Sequence, residues 1–299
     1  MVPQHLVVLG ATGNIGSQLT HALLAQGYHV TAVARTSARL DALQQAGAST
    51  APGDVRDVNF LTQALGGADG AFLLLPPNVQ APDVLADMRQ SAEIIAEAVR
   101  AAGLRRAVSL SSDRAHQPLN NGPLFLEQEA RLDGIAGLHV AHLRPAFFMD
   151  NLLAQIGLIK RLGSMATAMR PDLHLPMVAT KDIAAKAAEL LGGGAFENHS
   201  RHCLLGPRDY SMQEAAAIIG PAIGQPDLRY LQTSYEQARQ GLLHAGMSAS
   251  MADLFEEMVR TSNASREAAG GERTAASATP TTLEEFARTV FAPAFQRAQ

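Results

Sequence analysis

The fold of this chain is decided by residues 5–16, which read H-L-V-V-L-G-A-T-G-N-I-G. A nearly continuous apolar run ends at Gly10, and glycine then recurs at Gly13 and Gly16. An amphipathic stretch over residues 17–26 follows at once. This order predicts a β-strand, a glycine-rich turn and an α-helix.

Each glycine in this turn has a physical reason if the turn binds the phosphates of a dinucleotide. Gly10 lets the backbone turn tightly, Gly13 lets a pyrophosphate approach the main chain, and Gly16 lets the helix pack against the strand. The first turn of the helix also offers N–H groups to the phosphates. An ordinary glycine-rich turn is the alternative, but the position between a strand and a helix favours a dinucleotide. We therefore expect cofactor contacts from Gly10, Thr12, Gly13, Asn14, Ile15 and Gly16.

The composition predicts a folded cytoplasmic protein without a metal. Hydrophobic residues make up 47% of the 299 residues, and the formal net charge of -4 argues against a nucleic-acid partner. Cys203 is the only cysteine, and the nearby His199 and His202 lack the ligand pattern of a zinc site. No run of 18 apolar residues would span a membrane, and the first residues lack the features of a signal peptide.

The second predicted strand indicates which dinucleotide is bound. It runs over residues 28–34 and ends at Arg35, where an acidic residue would bind the ribose of NAD and an arginine favours the 2′-phosphate of NADP. Arg39 is a second candidate for the phosphate, and a solvated loop arginine is the alternative reading of Arg35. Asp54 and Val55, at the end of the third strand, are expected beside the adenine. The sequence therefore predicts NADP(H) in preference to NAD(H).

Strands and helices alternate six times over the first 145 residues. This rhythm predicts an α/β fold of the Rossmann type, with a doubly wound parallel sheet. After residue 145 the rhythm breaks into short strands and helices, which predict a smaller α+β substrate lobe. We expect an NADP-binding domain over residues 1–150 and a substrate-binding lobe over 151–299, interleaved with the first domain. Residues 262–280 are rich in small and polar residues and are predicted to form a mobile loop.

Several further motifs carry a resemblance to a known family. Beyond the glycine turn they are V-A-R at 33–35, G-D-V-R-D at 53–57, A-F-L-L-L-P-P at 71–77, S-L-S-S at 109–112, L-R-P at 143–145, P-M-V-A-T-K-D-I-A at 176–184 and T-T-L-E-E-F at 281–286. The chain resembles NmrA-like members of the atypical short-chain dehydrogenase/reductases, and most closely the NAD(P)H:quinone oxidoreductase-like branch. The resemblance implies an NADP(H) core to which Leu75, Pro76, Pro77 and Phe147 contribute. It also implies a substrate cleft over the nicotinamide.

The chain departs from this superfamily at its usual catalytic pair, Tyr-x-x-x-Lys. No tyrosine or lysine lies between Leu110 and Asp150, and Phe125 stands where relatives carry a lysine or histidine. A ketone that is reduced to an alkoxide needs a proton donor. A quinone gives a stabilised phenolate, so positioning and a hydrogen bond suffice. The missing pair therefore favours a quinone-type reductase over an alcohol dehydrogenase or epimerase.

Polar groups after the fifth strand are the candidate catalytic residues. Ser111 and Ser112 end that strand near the expected nicotinamide, where either hydroxyl would bond the substrate or only cap the strand end. His116, in the following loop, is a candidate proton donor, although loop histidines more often do nothing chemical.

The candidate substrate residues follow the sixth strand and open the lobe. Phe148, Met149 and Asn151 belong to the segment that in the family borders the nicotinamide and the substrate. Tyr210 is the first tyrosine of the lobe. For one of the two neighbouring phenylalanines, and for Tyr210, core packing is the alternative.

Three classes of function follow from these observations. The preferred one is an NADPH-dependent reductase that transfers a hydride to a quinone or similar electron-poor small molecule. The second is a non-catalytic NADP(H) sensor that acts through a protein partner, for which the missing acid–base pair argues. The third, a nucleotide-sugar epimerase or dehydratase, is disfavoured by the same absence. A homodimer and a regulatory protein partner both stay open.

Overall fold

A computed structural model describes residues 4–116, 122–193, 198–264 and 273–298 of the chain. Its strands are β1 (His5–Leu9), β2 (His29–Ala34), β3 (Ser49–Pro52), β4 (Gly70–Leu73), β5 (Arg106–Leu110), β6 (His139–Pro145), β7 (Phe147–Phe148), β8 (Ser164–Thr167), β9 (Leu175–Val178), β10 (Ser200–Leu204), β11 (Asp209–Tyr210) and β12 (Arg229–Gln232).

Its α-helices are α1 (Asn14–Ala25), α2 (Asp41–Gln45), α3 (Val58–Leu65), α4 (Val84–Ala101), α5 (Gly122–Asp133), α6 (Ile156–Leu162), α7 (Thr180–Gly192), α8 (Met212–Ala222), α9 (Tyr235–His244), α10 (Ala249–Ala264), α11 (Leu283–Phe286) and α12 (Ala292–Arg297). Short 3₁₀ turns at Ser37–Arg39, Asp113–His116 and Met149–Gln155 and a π turn at Ala287–Phe291 complete the described secondary structure.

The central sheet is parallel throughout and has the strand order β10-β6-β5-β4-β1-β2-β3. The order reverses beside β1, which is where a doubly wound sheet opens a crevice at the carboxyl ends of its strands. The predicted α/β fold of the Rossmann type is therefore confirmed.

Both faces of the sheet are covered, which explains why its strands are nearly all apolar. Successive side chains of a strand point to opposite faces. Leu6 and Val8 of β1 pack in the cluster that includes residues of α1, α2 and α7, whereas Val7 and Leu9 pack with residues of α3, α4 and α5. These four side chains have no exposed surface, as expected of a strand buried on both faces.

The sheet takes one strand from beyond residue 150. β10 pairs with β6 along its whole length, from Ser200 opposite Ala141 to Leu204 opposite Pro145. α7 likewise comes from the second half and packs against α1 on the face of the sheet. The two halves of the chain therefore share the central sheet, and a cut at residue 150 would remove an edge strand and a covering helix.

A separate core lies under the rest of the second half. β11, β9 and β7 form a small sheet, β8 and β12 form a second one, and apolar side chains of α8, α11 and α12 pack nearby. This arrangement is the smaller α+β lobe that the sequence predicts.

The sequence assigns residues 262–280 wrongly as one mobile loop. Residues 262–264 belong to α10, and residues 273–280 are held against the segment after β10. The N–H of Leu205 donates to the carbonyl of Ser277, and the N–H of Thr279 donates to the carbonyl of Leu205, each at 2.7 Å. The intervening 265–272 lie outside the described residues.

None of the helices described here has both the length and the apolar character that crossing a membrane requires.

The contact between α1 and the preceding turn gives a direct stability test. A Cβ atom at Gly16 would lie 2.3 Å from the carbonyl oxygen of Gly10 and 2.8 Å from the Cα of Ala11. These are backbone atoms that have no rotamer to change. We expect Gly16→Ala to lower the free energy of unfolding by roughly 1–3 kcal/mol, the usual range for overpacking, as measured by urea denaturation.

Gly241 provides the matched control, because it lies in the helix α9 with no atom within 4 Å of its would-be Cβ. Gly241→Ala should leave stability unchanged or raise it by up to about 1 kcal/mol, since alanine is the better helix former. Equal midpoints for Gly16→Ala and the unmodified protein would contradict the close approach.

Candidate active site

The glycine turn forms one wall of a cavity at the carboxyl edge of the sheet. Gly10 adopts φ +63°, and a Cβ there would come within 2.7 Å of Leu74 Cδ2, so the position requires glycine. Gly13 precedes α1 as its N-cap, and no described side chain caps this helix end. The helix therefore presents backbone N–H groups where an anion can approach them.

This cavity has a volume of about 490 Å³ and holds most of the predicted cofactor residues. Its lining includes Gly10, Thr12, Gly13, Arg35, Arg39, Asp54, Val55, Pro76 and Pro77. Five predicted residues are not among its lining, and three of them lie at the start of α1, where Asn14 is exposed and Ile15 and Gly16 are buried. Ile15 and Gly16 support the start of the helix from inside, and a contact of their backbone N–H groups with the cofactor stays a prediction.

Two cations stand at the end of the cavity nearest β2. Arg35 follows that strand and Arg39 ends the next 3₁₀ turn, and within the described ranges neither forms an ion pair. Arg56 also lines the cavity, but it is bonded at 2.7 Å to Asp87 of α4. Arg35 and Arg39 are thus the cations available to an added phosphate.

A second cavity adjoins the first and is mainly apolar. It has a volume of about 340 Å³. Aromatic and methionine side chains dominate its lining, namely Met88, Phe125, Phe147, Phe148, Met169, Met251, Phe255 and Met258. Pro77 lines both cavities, so they meet at the loop that joins β4 to α4. Leu75 and Phe147, which we expected at the cofactor, lie along this second cavity instead.

We call this second cavity the apolar cleft. Helix α10 contributes one wall through Met251, Phe255 and Met258. The helix is tied to neighbouring segments, because Ser262 Oγ accepts a bond of 2.8 Å from Arg114 and Ser250 Oγ accepts one of 3.0 Å from the N–H of Val84.

Ser111 and Ser112 both reach the cleft, but their hydroxyls are differently engaged. Ser111 is 5% exposed and donates its single hydroxyl proton to Glu129 Oε1 at 2.6 Å. That proton is therefore not available to a substrate, which corrects its predicted role as a donor. Ser112 is half-buried, and its Oγ accepts a bond of 3.2 Å from the N–H of Arg114 and donates a long one, of 3.5 Å, to Asp113 Oδ1. Ser112 is the serine placed to bond a ligand.

Beneath these serines lies a buried ion pair that sequence reasoning did not find. Arg144 of β6 holds Glu129 of α5 with two bonds, Nε to Oε1 at 2.8 Å and Nη2 to Oε2 at 2.6 Å. Glu129 is 1% and Arg144 is 5% exposed. Burial alone would raise the pKa of Glu129, but the bonds from Arg144 and Ser111 outweigh it and lower that pKa. The motif L-R-P at residues 143–145 contains Arg144, but the motif by itself does not indicate which carboxylate this arginine pairs with.

The network extends to the edge of the sheet. Arg201 of β10 contacts Glu129 Oε2 at 3.3 Å and also bonds Asp133 of α5. Asp133 in turn lies 2.9 Å from the fully buried His142. Strands β6 and β10 and helix α5 are thus held together by charged groups around the carboxyl end of β5.

His116 does not act where we expected. Its side chain is exposed, it is not among the residues that line the apolar cleft, and its Nε2 lies 2.5 Å from Arg144 Nη1. A guanidinium only donates, so this nitrogen accepts and cannot hold a proton for a substrate. The prediction of His116 as a proton donor to the substrate is therefore wrong for this geometry.

Two of the four predicted substrate residues lie in the core of the lobe and not at the cleft. Phe148 and Asn151 line the apolar cleft, but Met149 has no exposed surface and packs in the core of the lobe. Tyr210 is 1% exposed in the same core, and its hydroxyl accepts a bond of 3.1 Å from the N–H of Leu283. Because neither side chain lines the cleft, both predictions are corrected in favour of packing.

A carboxyl group in the cleft was passed over in the sequence. Asp113 begins the 3₁₀ turn after Ser112 and lines the apolar cleft. Burial raises the pKa of Asp113 to about 6, against the opposing effect of Arg114. Asp113 and His116 lie in the same short loop, and the sequence alone does not indicate which of the two side chains faces the cleft.

The buried pair predicts a large stability loss when it is broken. Glu129→Gln would leave Arg144 charged and without its carboxylate in the interior. We expect the free energy of unfolding at pH 7 to fall by about 3–5 kcal/mol, measured by urea denaturation. Glu127→Gln is the control on the same helix, since its pair with Arg89 is exposed and should be worth less than about 1 kcal/mol.

The sign of the pH dependence follows from the lowered pKa of Glu129. A carboxyl group with a lower pKa in the folded state stabilises the protein above its ordinary value of 4.5, and this contribution is lost as the pH falls through the folded value. The difference between the unmodified protein and Glu129→Gln should therefore shrink as the pH is lowered below about 4.5. A difference that stays constant into acid would contradict the ion pair.

Comparisons with known proteins identify the family and confirm the fold. The model of the NmrA-like family matches residues 3–287. An NAD(P)H azoreductase of Xenophilus azovorans is 29% identical over 255 residues, which cover 85% of each chain. The fold resembles a Citrobacter triphenylmethane reductase, with a TM-score of 0.79, 18% identity and coverage of 97% of this chain and 99% of that one.

The NADPH complex of the quinone oxidoreductase QOR2 from Escherichia coli has a TM-score of 0.77 and 21% identity, covering 96% of this chain and 99% of that chain. These structural likenesses extend over nearly all of each chain, and the family model spans both the central sheet and the lobe. The resemblance drawn from the sequence motifs is confirmed, and the chain belongs to the NmrA-like family.

Proposed function

We propose that this chain is an NADPH-dependent reductase that transfers a hydride to a flat, electron-poor small molecule, with a quinone as the preferred class. The observation that carries the proposal is the meeting of the two cavities at Pro77. One cavity has the groups that suit a dinucleotide, and the other has the apolar walls that suit an aromatic acceptor. The NAD(P)H azoreductase relative supports the choice of a nicotinamide-dependent reductase.

The residues of the first cavity fit the dinucleotide. The α1 N-terminus at Gly13 and the turn at Gly10 suit the pyrophosphate, and Asp54 and Val55 line the same cavity, which supports their proposed contact with the adenine. When bound, the nicotinamide supplies the hydride. The chain's own task is to orient the ring toward the apolar cleft and to exclude water there.

The preference for NADPH rests on the cations at the end of β2. No acidic residue stands at position 35 to bind a ribose hydroxyl, and Arg35 and Arg39 are both without an ion pair in the described parts of the chain. A guanidinium binds phosphate through charge-assisted hydrogen bonds. Both arginines would therefore favour the dinucleotide that carries the 2′-phosphate.

The apolar cleft suits a quinone because the reduction makes little demand on acid catalysis. Phe125 lines the cleft, and the sequence resemblance implies a lysine or histidine at this position in relatives. Phe147 and Phe148 add aromatic surface on which a flat ring can stack. Ser112, with Asn151 nearby in the lining, offers a hydrogen bond to the substrate oxygen.

An azo compound is the second candidate substrate class, because the relative of 29% identity is named an azoreductase. The non-catalytic sensor and the nucleotide-sugar epimerase remain alternatives that an activity assay separates from the reductase. A cytoplasmic location, a homodimer and a regulatory protein partner stay predictions from the sequence.

The reductase function predicts that a simple benzoquinone or naphthoquinone accelerates NADPH oxidation by the purified protein, measured at 340 nm. Phe148→Ala should raise KM for the quinone several-fold, because the ring lines the cleft, and should leave the Kd for NADPH nearly unchanged. Leu162→Ala is the control, since Leu162 is 66% exposed and its loss should change neither value. Tight NADPH binding without turnover across a panel of quinones and azo dyes would support the sensor instead.

The cofactor assignment predicts that Arg35→Ala weakens NADPH about 10- to 100-fold, the loss of one hydrogen bond to a charged group, as measured by fluorescence titration. The Kd for NADH should rise less than about threefold. Arg105→Ala is the control, because it removes an exposed arginine at the opposite, amino-terminal edge of the sheet. Equal losses for NADPH and NADH would overturn the 2′-phosphate assignment.

A further inference from the structure

Asp113 is the feature of the apolar cleft that the reduction of a quinone leaves unused. Asp113 lies three residues after the end of β5, between Ser112 and Arg114 in the sequence, and lines the cleft. Arg114 extends away toward α10, where its Nη1 donates to Ser262 Oγ at 2.8 Å. The carboxyl group of Asp113 is therefore in a largely apolar site without an ion-pair partner among the described residues.

The other groups that line the cleft cannot supply a proton. In the part of the chain that the structure describes, the only ionisable side chains of the lining are Asp113 and Arg114. An arginine stays protonated at any physiological pH. Ser111 has committed its proton to Glu129 at 2.6 Å, and His116 is not among the lining residues. A serine hydroxyl such as that of Ser112 is too weak an acid to deliver its proton unaided.

We propose that Asp113 is the general acid of this cleft, and that it serves substrates such as azo compounds whose reduced form must gain a proton as it is made. The inference rests on the proposed NADPH-dependent reductase function and names a substrate class and a catalytic residue for it. It assigns to the 3₁₀ turn after β5 the chemical role that the missing Tyr-x-x-x-Lys pair would otherwise fill.

The proposed step balances in atoms and electrons. One nitrogen of the N=N group accepts the hydride and its two electrons from NADPH, and the π bond between the nitrogens breaks. The second nitrogen takes the electron pair and forms an N–H bond as the O–H bond of the Asp113 carboxyl breaks. The products are a hydrazo compound, NADP⁺ and the Asp113 carboxylate, which water then reprotonates.

The two substrate classes differ in their need for this proton. A reduced quinone leaves as a stabilised phenolate, whereas the nitrogen anion formed from an azo group is a far stronger base. General acid catalysis typically contributes 10²–10⁴-fold to the rate when the proton must move in the transition state. Loss of Asp113 should therefore affect the azo reaction far more than the quinone reaction.

The surroundings of Asp113 increase the protonated fraction of its carboxyl group, although the carboxylate is still the major form at neutral pH. Burial raises its pKa to about 6, and an apolar substrate that displaces water from the cleft would raise the pKa further. Arg114 on its own turn opposes this shift, and so does the hydroxyl of Ser112, which donates to Asp113 Oδ1 at 3.5 Å. On the neighbouring elements, the charges of Glu129 and Arg144 are paired with each other, and the pKa of the Cys203 thiol is raised, so the thiol stays neutral.

The test compares Asp113→Asn with the unmodified protein on an azo dye and on a naphthoquinone, at saturating NADPH. Asparagine has nearly the same shape but cannot donate the proton as an acid. We expect kcat for the azo dye to fall at least tenfold and kcat for the quinone to change less than about threefold. Asp227→Asn, the same change at an exposed site, is the control and should alter neither rate.

Two pH measurements identify the group. In the unmodified protein, kcat for the azo dye should decline as the pH rises above about 6, and this decline should be absent from Asp113→Asn. Independently of turnover, ¹³C NMR of the protein labelled at its aspartate carboxyls should show one resonance that titrates near pH 6 and is missing from the variant.

Failure of the inference is distinguishable from failure of the proposed function. If the unmodified protein reduces neither substrate, the reductase function fails and the inference fails with it. If it reduces the quinone but not the azo dye, or if Asp113→Asn slows both substrates equally, the reductase function stands and Asp113 is not the general acid.

Discussion

Helix α1 begins against the turn that precedes it because Gly16 has no side chain. The carbonyl oxygen of Gly10 occupies the space in which a Cβ of residue 16 would lie, only 2.3 Å away. This contact sets the direction of α1 and leaves its N-terminus open at the crevice of the sheet. The cavity beside the turn, the cations at the end of β2 and the junction at Pro77 all depend on that placement.

A second constraint holds the other half of the site. The paired charges of Glu129 and Arg144 join α5 to β6, and the hydroxyl of Ser111 joins the end of β5 to the same carboxylate. A buried ion pair is weak evidence for net stability, but breaking it is costly. It fixes the strand ends that form the floor of the apolar cleft, and it also occupies Ser111. The proton that a reaction needs must therefore come from another group, and Asp113 is the one so placed.

The predicted sheet is confirmed, and most of the predicted cofactor residues line one cavity, because both depend on local patterns. Each of these predictions rests on a pattern of a few neighbouring residues: the apolar run before Gly10, the glycine spacing, and the arginine that follows β2. The apolar cleft was predicted less well, because its walls come from segments far apart in the chain. Met149 and Tyr210 are apolar or aromatic like Phe148, and only the packing of the lobe decides that they face its core. The bond between Ser111 and Glu129 spans 18 residues and left no local signal.

The central claim is that a dinucleotide cavity and an apolar substrate cleft meet at Pro77. A crystal structure of the complex with NADP⁺ tests it most directly. The account predicts that the 2′-phosphate contacts Arg35 or Arg39, that the pyrophosphate lies at the N-terminus of α1, and that the nicotinamide reaches past Pro77 to the apolar cleft beside Ser112. A nicotinamide that points away from this cleft, or a 2′-phosphate remote from both arginines, would contradict it.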